Sequence, residues 1–134
     1  EIPTLISSIV SKNMIKQKNG KIINISSIFG LVSKEKRSSY SSSKFGILGL
    51  TKSSALDLAS YNILVNSISP GFIDTKLTRK ILKLSGMKKM SKVVPIKRLG
   101  KVKEIAYLSM FLASSYNTYI TGQNIVIDGG FTSK

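Results

Sequence analysis

The chain contains no cysteine and no histidine. The first absence rules out disulfide frameworks and cysteine zinc sites, and it fits a cytosolic protein. The second rules out a serine–histidine–acid triad within this chain and most zinc-binding patterns, so no metal site is expected. No uninterrupted apolar run approaches the roughly 18 residues of a membrane-spanning helix. The basic, amphipathic opening lacks the small-residue cleavage site of a signal peptide. We therefore expect a cytoplasmic protein with no membrane partner. Acidic residues are also scarce, with 6 Asp+Glu against 21 Lys+Arg and a formal net charge of +15.

What is present is an ordinary globular composition. At 134 residues and 42% hydrophobic, the chain has the length of one domain and enough apolar material for a core. It opens on Glu1, and its first residues already read as the middle of a helix, so we expect part of something longer. Lysines are spread over most segments, which a compositional bias explains without function. The exception lies between residues 76 and 103, where eleven basic residues occur with no Asp or Glu. A polyanion such as nucleic acid is one partner for such a segment. However, aromatics are scarce there and no nucleic-acid-binding motif occurs, so nucleic acid is an unlikely partner.

The periodicity gives an alternating order. Ile2, Leu5, Ile6, Ile9, Val10 and Met14 fall at helical spacing over 2–17, stopped by Asn19-Gly20. A β-branched strand follows at 21–26, then a loop over 28–39 with a charged patch at 34–37. A helix from about 40 to 60 is apolar most of the way round, so it should be buried on two sides, against a sheet and against another subunit. Gly46 and Gly49 within it point to close packing. A second strand at 63–69 stops at Pro70-Gly71. Residues 72–75 read as a loop, with Asp74 or Thr75 as helix cap. The basic stretch 75–92 is weakly amphipathic and broken at Gly86, and 95–101 is irregular. A helix at 103–114 and a third strand at 124–128, ended by Gly129-Gly130, complete the chain. Long helical connections imply parallel strands. The fold class expected is α/β, half of a doubly wound parallel sheet, with ligands beyond the strands' carboxyl ends.

One constellation lies at such an end. Ser27 follows the first strand, and Tyr40 and Lys44 stand four residues apart at the start of the next helix, hence on one face. A protonated Lys44 favours the phenolate form of Tyr40. That equips the phenol to exchange a proton with a carbonyl or alcohol oxygen. Ser27 could hydrogen-bond the same oxygen.

The stretches INISS, YSSSK, SPGFIDT, RLG and TGQNIVIDGG together resemble the C-terminal half of the classical short-chain dehydrogenase/reductases, from about residue 20 to 131. The wording is most similar to 3-oxoacyl-acyl-carrier-protein reductases. The resemblance implies a Rossmann-like fold with Tyr40 as general acid or base. Lys44 would tune Tyr40 and hold the nicotinamide ribose, and Ser27 would polarise the substrate oxygen. Ser26 competes for that last role, and the family spacing favours Ser27. Pro70, Gly71, Ile73 and Thr75 would line the nicotinamide end, and a mobile flap over 76–94 would cover the substrate. Asp128 matches a family position that a strand-end turn already explains. The family's glycine-rich phosphate turn and Asn-Asn-Ala-Gly segment are not in this chain, and its catalytic asparagine would fall at or just before residue 1. Asn13 is in the wrong place for it. The cofactor implied is NADP(H), with NAD(H) open because the selector residue is missing. The substrate implied is a small carbonyl compound, carried on an acidic acyl carrier protein that would meet the basic flap. The longer form would be a homodimer or homotetramer through the 40–60 helix, and this chain alone would be inactive. A sugar or other small-alcohol dehydrogenase shares every motif quoted. A basic nucleic-acid-binding module and an inactive remnant are the alternatives of another class.

Overall fold

The computed structural model describes residues 2–133. The elements in order are α1 (Ile2–Gln17), β1 (Gly20–Ile25), α2 (Ser38–Leu58), β2 (Ile63–Pro70), β3 (Ile73–Asp74), α3 (Lys76–Val93), β4 (Gly100–Lys101), α4 (Val102–Ala113) and β5 (Asn124–Ile127). Single 3-10 turns at Ile28–Gly30 and Ala59–Tyr61 flank α2.

β1, β2 and β5 form one parallel sheet in that order, and β3 pairs with β4 in a separate parallel ribbon. The run ILVNSIS makes β2 the central strand. Its β-branched residues suit a pleated surface, and every residue from Ile63 to Ser69 is buried. The polar members are buried with partners. Asn66 Nδ2 donates to the Ile120 carbonyl at 2.7 Å, and its Oδ1 accepts the Gln123 N–H at 3.0 Å. The hydroxyls of Ser67 and Ser69 both donate to Asn124 Oδ1. These bonds tie β2 to the segment that leads into β5.

The core lies between β1, β2 and α2, with Ile22, Ala55, Leu58, Ile63 and Val65 in contact and Met14 and Ile15 of α1 packed against them. Each buried Ile, Leu or Val among them contributes roughly 1.5–3 kcal/mol on leaving water. Asn62 closes the connection from α2 to β2 in the left-handed region, φ 59°, which asparagine tolerates better than most residues.

The structure departs from the sequence reading in four places. In α1 the small residues Ser7 and Ser11 are buried, whereas Ile2, Leu5, Ile6 and Ile9 are exposed. The apolar stripe therefore faces outward. In α2 the close packing expected at Gly46 and Gly49 does not occur within the chain, since a side chain at either would meet nothing within 4 Å. Both lie on the face turned from the sheet, where Phe45 and Leu56 are also exposed. The break in the basic helix is at Lys83 (φ 52°, ψ −179°), and Gly86 is helical. Finally, the loop 72–75 and the irregular stretch 95–101 meet as β3 and β4, with Ile73 opposite Gly100.

Candidate active site

The site is built where β1 ends. Ser26 N–H continues the ladder by donating to the Ile68 carbonyl at 2.8 Å. Its hydroxyl donates to the carbonyl of Lys44 at 2.9 Å, so Ser26 fastens the strand end to α2. Gly30 permits that approach, because a Cβ there would stand 2.6 Å from Ser26 Oγ and 2.9 Å from the Lys44 carbonyl oxygen. Ser27 is extended and caps the turn Ile28–Gly30, with its Oγ accepting the Phe29 N–H at 3.2 Å. The hydroxyl proton of Ser27 is thereby left for another acceptor.

Ser27 and Tyr40 line one cavity of about 370 Å³, together with Phe29, Gly71 and Thr78. Lys44 Nζ lies 5.8 Å from the centroid of the Tyr40 ring and donates to the Ile25 carbonyl at 3.1 Å. That bond uses one of three ammonium donors and aims the charge at the strand end. Edge-to-face contacts chain Tyr40 to Phe29 (6.2 Å), Phe29 to Phe72 (6.4 Å) and Phe72 to Phe131 (5.0 Å). These rings set the wall beside the phenol.

The four residues expected at the nicotinamide end have different surroundings. Pro70 is the last residue of β2, and Gly71 reaches the cavity of Ser27 and Tyr40. Gly71 lies against the end of β5, since a Cβ there would come within 2.7 Å of Asp128 Cβ. Ile73 faces a separate cavity of about 210 Å³, with Arg98, Glu104 and Ile105, because pairing with β4 turns it that way. Thr75 is the N-cap of α3, and its hydroxyl accepts the Thr78 N–H at 3.0 Å. Of the residues expected at the cofactor, Tyr40 and Gly71 line one cavity, Ile73 lines another, and the Thr75 hydroxyl caps α3. The asparagine expected at or before residue 1 lies outside the described residues.

Carboxylates frame the site without entering it. Burial pushes the Asp128 carboxyl up, but hydrogen bonds from the Thr132 hydroxyl and from backbone N–H groups of Thr132, Gly130 and Phe131 outweigh this and hold it below the usual range. The turn after β5 therefore accounts for Asp128, and Gly129 and Gly130 supply its positive φ angles of 66° and 85°. Asp74 is lowered by its hydrogen bond with Arg79, which is bidentate at 2.7 and 2.9 Å. The Glu104 carboxyl is held down at about 2 by Arg98 and by the Lys101 backbone N–H.

Several lining residues have no signal in the sequence read alone. Thr78, Leu82 and Met90, within the stretch expected as a flap, reach the cavity from α3, and Phe29 reaches it from the turn after β1. The charged patch at 34–37 is visible in the sequence, but not which of its members face inward. Lys34 and Arg37 do.

The family described as Enoyl-(Acyl carrier protein) reductase matches residues 3–132. The 3-oxoacyl-[acyl-carrier-protein] reductase FabG of Thermotoga maritima is 42% identical over 125 residues, covering 93% of this chain and 50% of that protein. The trans-4-hydroxycyclohexanecarboxylate dehydrogenase of Sinomonas cyclohexanicum is 44% identical, covering 89% and 44%. Among solved structures, a gluconate 5-dehydrogenase from Burkholderia cenocepacia, in complex with NADP and tartrate, superimposes with a TM-score of 0.89. It is 32% identical, and the match covers 96% of this chain and 51% of that one. ElxO with NADP bound gives 0.87 at 36% identity, covering 92% and 50%. The chain spans about half the length of the relatives it matches. It belongs to the short-chain dehydrogenase/reductase family, carrying the C-terminal half of that family's Rossmann-like fold.

Proposed function

We propose that this chain is the proton-transfer half of a nicotinamide-dependent carbonyl reductase acting on a 3-oxoacyl thioester. One observation carries the proposal: Ser27 and Tyr40 line the same cavity, with the Lys44 ammonium 5.8 Å from the Tyr40 ring. Ser27 Oγ, already accepting from Phe29, offers its proton to the substrate carbonyl oxygen. Tyr40 Oη gives its proton to that oxygen as the carbonyl carbon receives hydride, and an alcohol results. Lys44 stabilises the phenolate left behind. Tyr40 and Lys44 would also hold the nicotinamide ribose, with Pro70 and Gly71 beside it. The reduced nicotinamide supplies the hydride when bound. NADP(H) is the favoured cofactor because related structures hold NADP.

The partner proposed is an acidic acyl carrier protein, and the support is the basic surface of α3 and the segment to residue 103. In the longer form, subunits would meet through α2, whose Phe45, Gly46, Gly49 and Leu56 face outward, with the apolar stripe of α1 beside it. A second reading, a dehydrogenase of small hydroxy acids, is favoured by the names of the Sinomonas and Burkholderia relatives.

The test joins this chain to the half of the Thermotoga reductase that it does not cover. NADPH oxidation is then followed with an acetoacetyl thioester. We expect turnover that Tyr40→Phe lowers by about a hundredfold or more. An unchanged rate in that variant, with the fold intact by circular dichroism, would sink the mechanism. Turnover of gluconate-type substrates but not the thioester would favour the second reading.

A further inference from the structure

The loop that enters α2 carries four consecutive charged residues, Lys34, Glu35, Lys36 and Arg37. They do not all face the same way. Lys36 adopts a left-handed conformation, φ 58°, and the turn it makes brings Lys34 and Arg37 to the cavity of Ser27 and Tyr40, while Glu35 and Lys36 do not line it. The two inward residues are both cations. No carboxylate lines this cavity, and neither cation forms an ion pair among the described residues.

Lys34 also lines a second, adjoining cavity of about 640 Å³. That cavity is walled mainly by apolar side chains of α3 and by Phe29, Phe72 and Phe131, and its other cation is Lys89. The two cavities share Phe29, Phe72, Leu82 and Met90. The space beside Tyr40 therefore has a polar, cationic side at residues 34–37 and an apolar side under α3. A solvated charge run would have no reason to segregate its one acid from its inward pair. Two unpaired cations at a cavity mouth raise the local concentration of anions and favour an anionic group held between them.

We infer that Lys34 and Arg37 form an anion subsite, so that the preferred substrate carries a carboxylate or phosphate as well as the carbonyl reduced at Tyr40 and an apolar chain lying under α3. This rests on the carbonyl-reducing role proposed above, and it adds two specificity-determining residues that do not take part in proton transfer. Exposed ion pairs are worth about 0.2–1 kcal/mol each. At roughly 1.4 kcal/mol per tenfold in affinity, two of them give about a two- to thirtyfold preference.

The test reads binding rather than turnover, by NMR titration of the 134-residue chain. Two matched ligand pairs separate the sources of the anion. One is 3-oxooctanoate against its methyl ester. The other is the 3-oxooctanoyl thioester of 4′-phosphopantetheine against that of pantetheine. The charged member of at least one pair should bind about two- to thirtyfold tighter, and the pair that discriminates identifies carboxylate or phosphate. In the double variant Lys34→Gln/Arg37→Gln the preference should vanish while the neutral ligand binds as before. Tyr40→Phe should keep the preference, so a failed mechanism and a failed anion subsite give different results. Equal affinity within both pairs, binding of none of the four ligands, or a preference that survives the double variant would each overturn the inference.

Discussion

β2, through the Gly71 that follows it, and α3 both reach the cavity of Ser27 and Tyr40, and they are held in opposite ways. Every residue of β2 from Ile63 to Ser69 is buried, and its polar side chains have fixed partners. In α3 no residue is buried. The helix is held at its start by the Thr75 cap and the Asp74–Arg79 pair, and it is bent in the middle at Lys83. The strand side fixes Ser27 and, through the Ser26–Lys44 bond, the start of α2. The helix side contributes Thr78, Leu82 and Met90 to the cavity with little packing beneath them. The proposed chemistry is thus mounted on the more tightly packed part of the chain. The residues proposed to meet the rest of a substrate are mounted on the part with the least to lose by moving.

The strongest test of this contrast is a matched pair of truncations. Ile68→Ala, at a fully buried position of β2, should cost about 2–5 kcal/mol through lost burial and the cavity left behind. Leu84→Ala, at a position 71% exposed in α3, should change stability by no more than about 0.5 kcal/mol. Urea midpoints at constant slope measure both. Similar losses at the two positions would mean that α3 is packed far more firmly than its exposure indicates.

Much of the firm half was legible in the sequence. β-branched residues mark β1 and β2 as strands, although only β2 is covered along its length and β1 buries Ile22 alone, and the four-residue step from Tyr40 to Lys44 puts both on one face whatever packs around them. The loose half was less legible. Two-residue strands such as β3 and β4 are too short to carry a period, so the turning of Ile73 away from the Tyr40 cavity has no sequence mark. The outward stripe of α1 has the same spacing as an inward one, because periodicity shows that a helix has two faces and not which neighbour each will meet. The kink was expected at Gly86, since glycine is the usual breaker. It falls at Lys83, between two helical segments, in a φ, ψ pair that only glycine adopts readily. A residue type cannot announce strain that its surroundings impose. Lys83→Gly should therefore stabilise the chain by about 1 kcal/mol, read from the shift of its unfolding midpoint. A loss of stability would show that Lys83 is not strained.

The smallest expected effect concerns how α3 is anchored. The β3–β4 ribbon from which α3 springs is tied to α4 by Glu104. This carboxylate accepts two bonds from Arg98, at 2.7 and 2.9 Å, and the Lys101 N–H at 2.6 Å. Those bonds hold its pKa at about 2, below the ordinary 4.5. Because the folded value is the lower one, the charged form favours the folded state. Its contribution is complete above pH 4.5 and disappears as the pH falls toward 2. Glu104→Gln should lower the unfolding midpoint slightly at pH 7, by less than the changes above, because the pair is exposed and screened by solvent. The difference between the two proteins should close at about pH 2, where Glu104 is itself losing its charge. High salt at pH 7 should close part of the same gap. A difference that stayed constant from pH 7 to pH 2 would mean that shape rather than charge at residue 104 secures the ribbon. The anchoring of α3 would then join β2 on the packed side of the comparison.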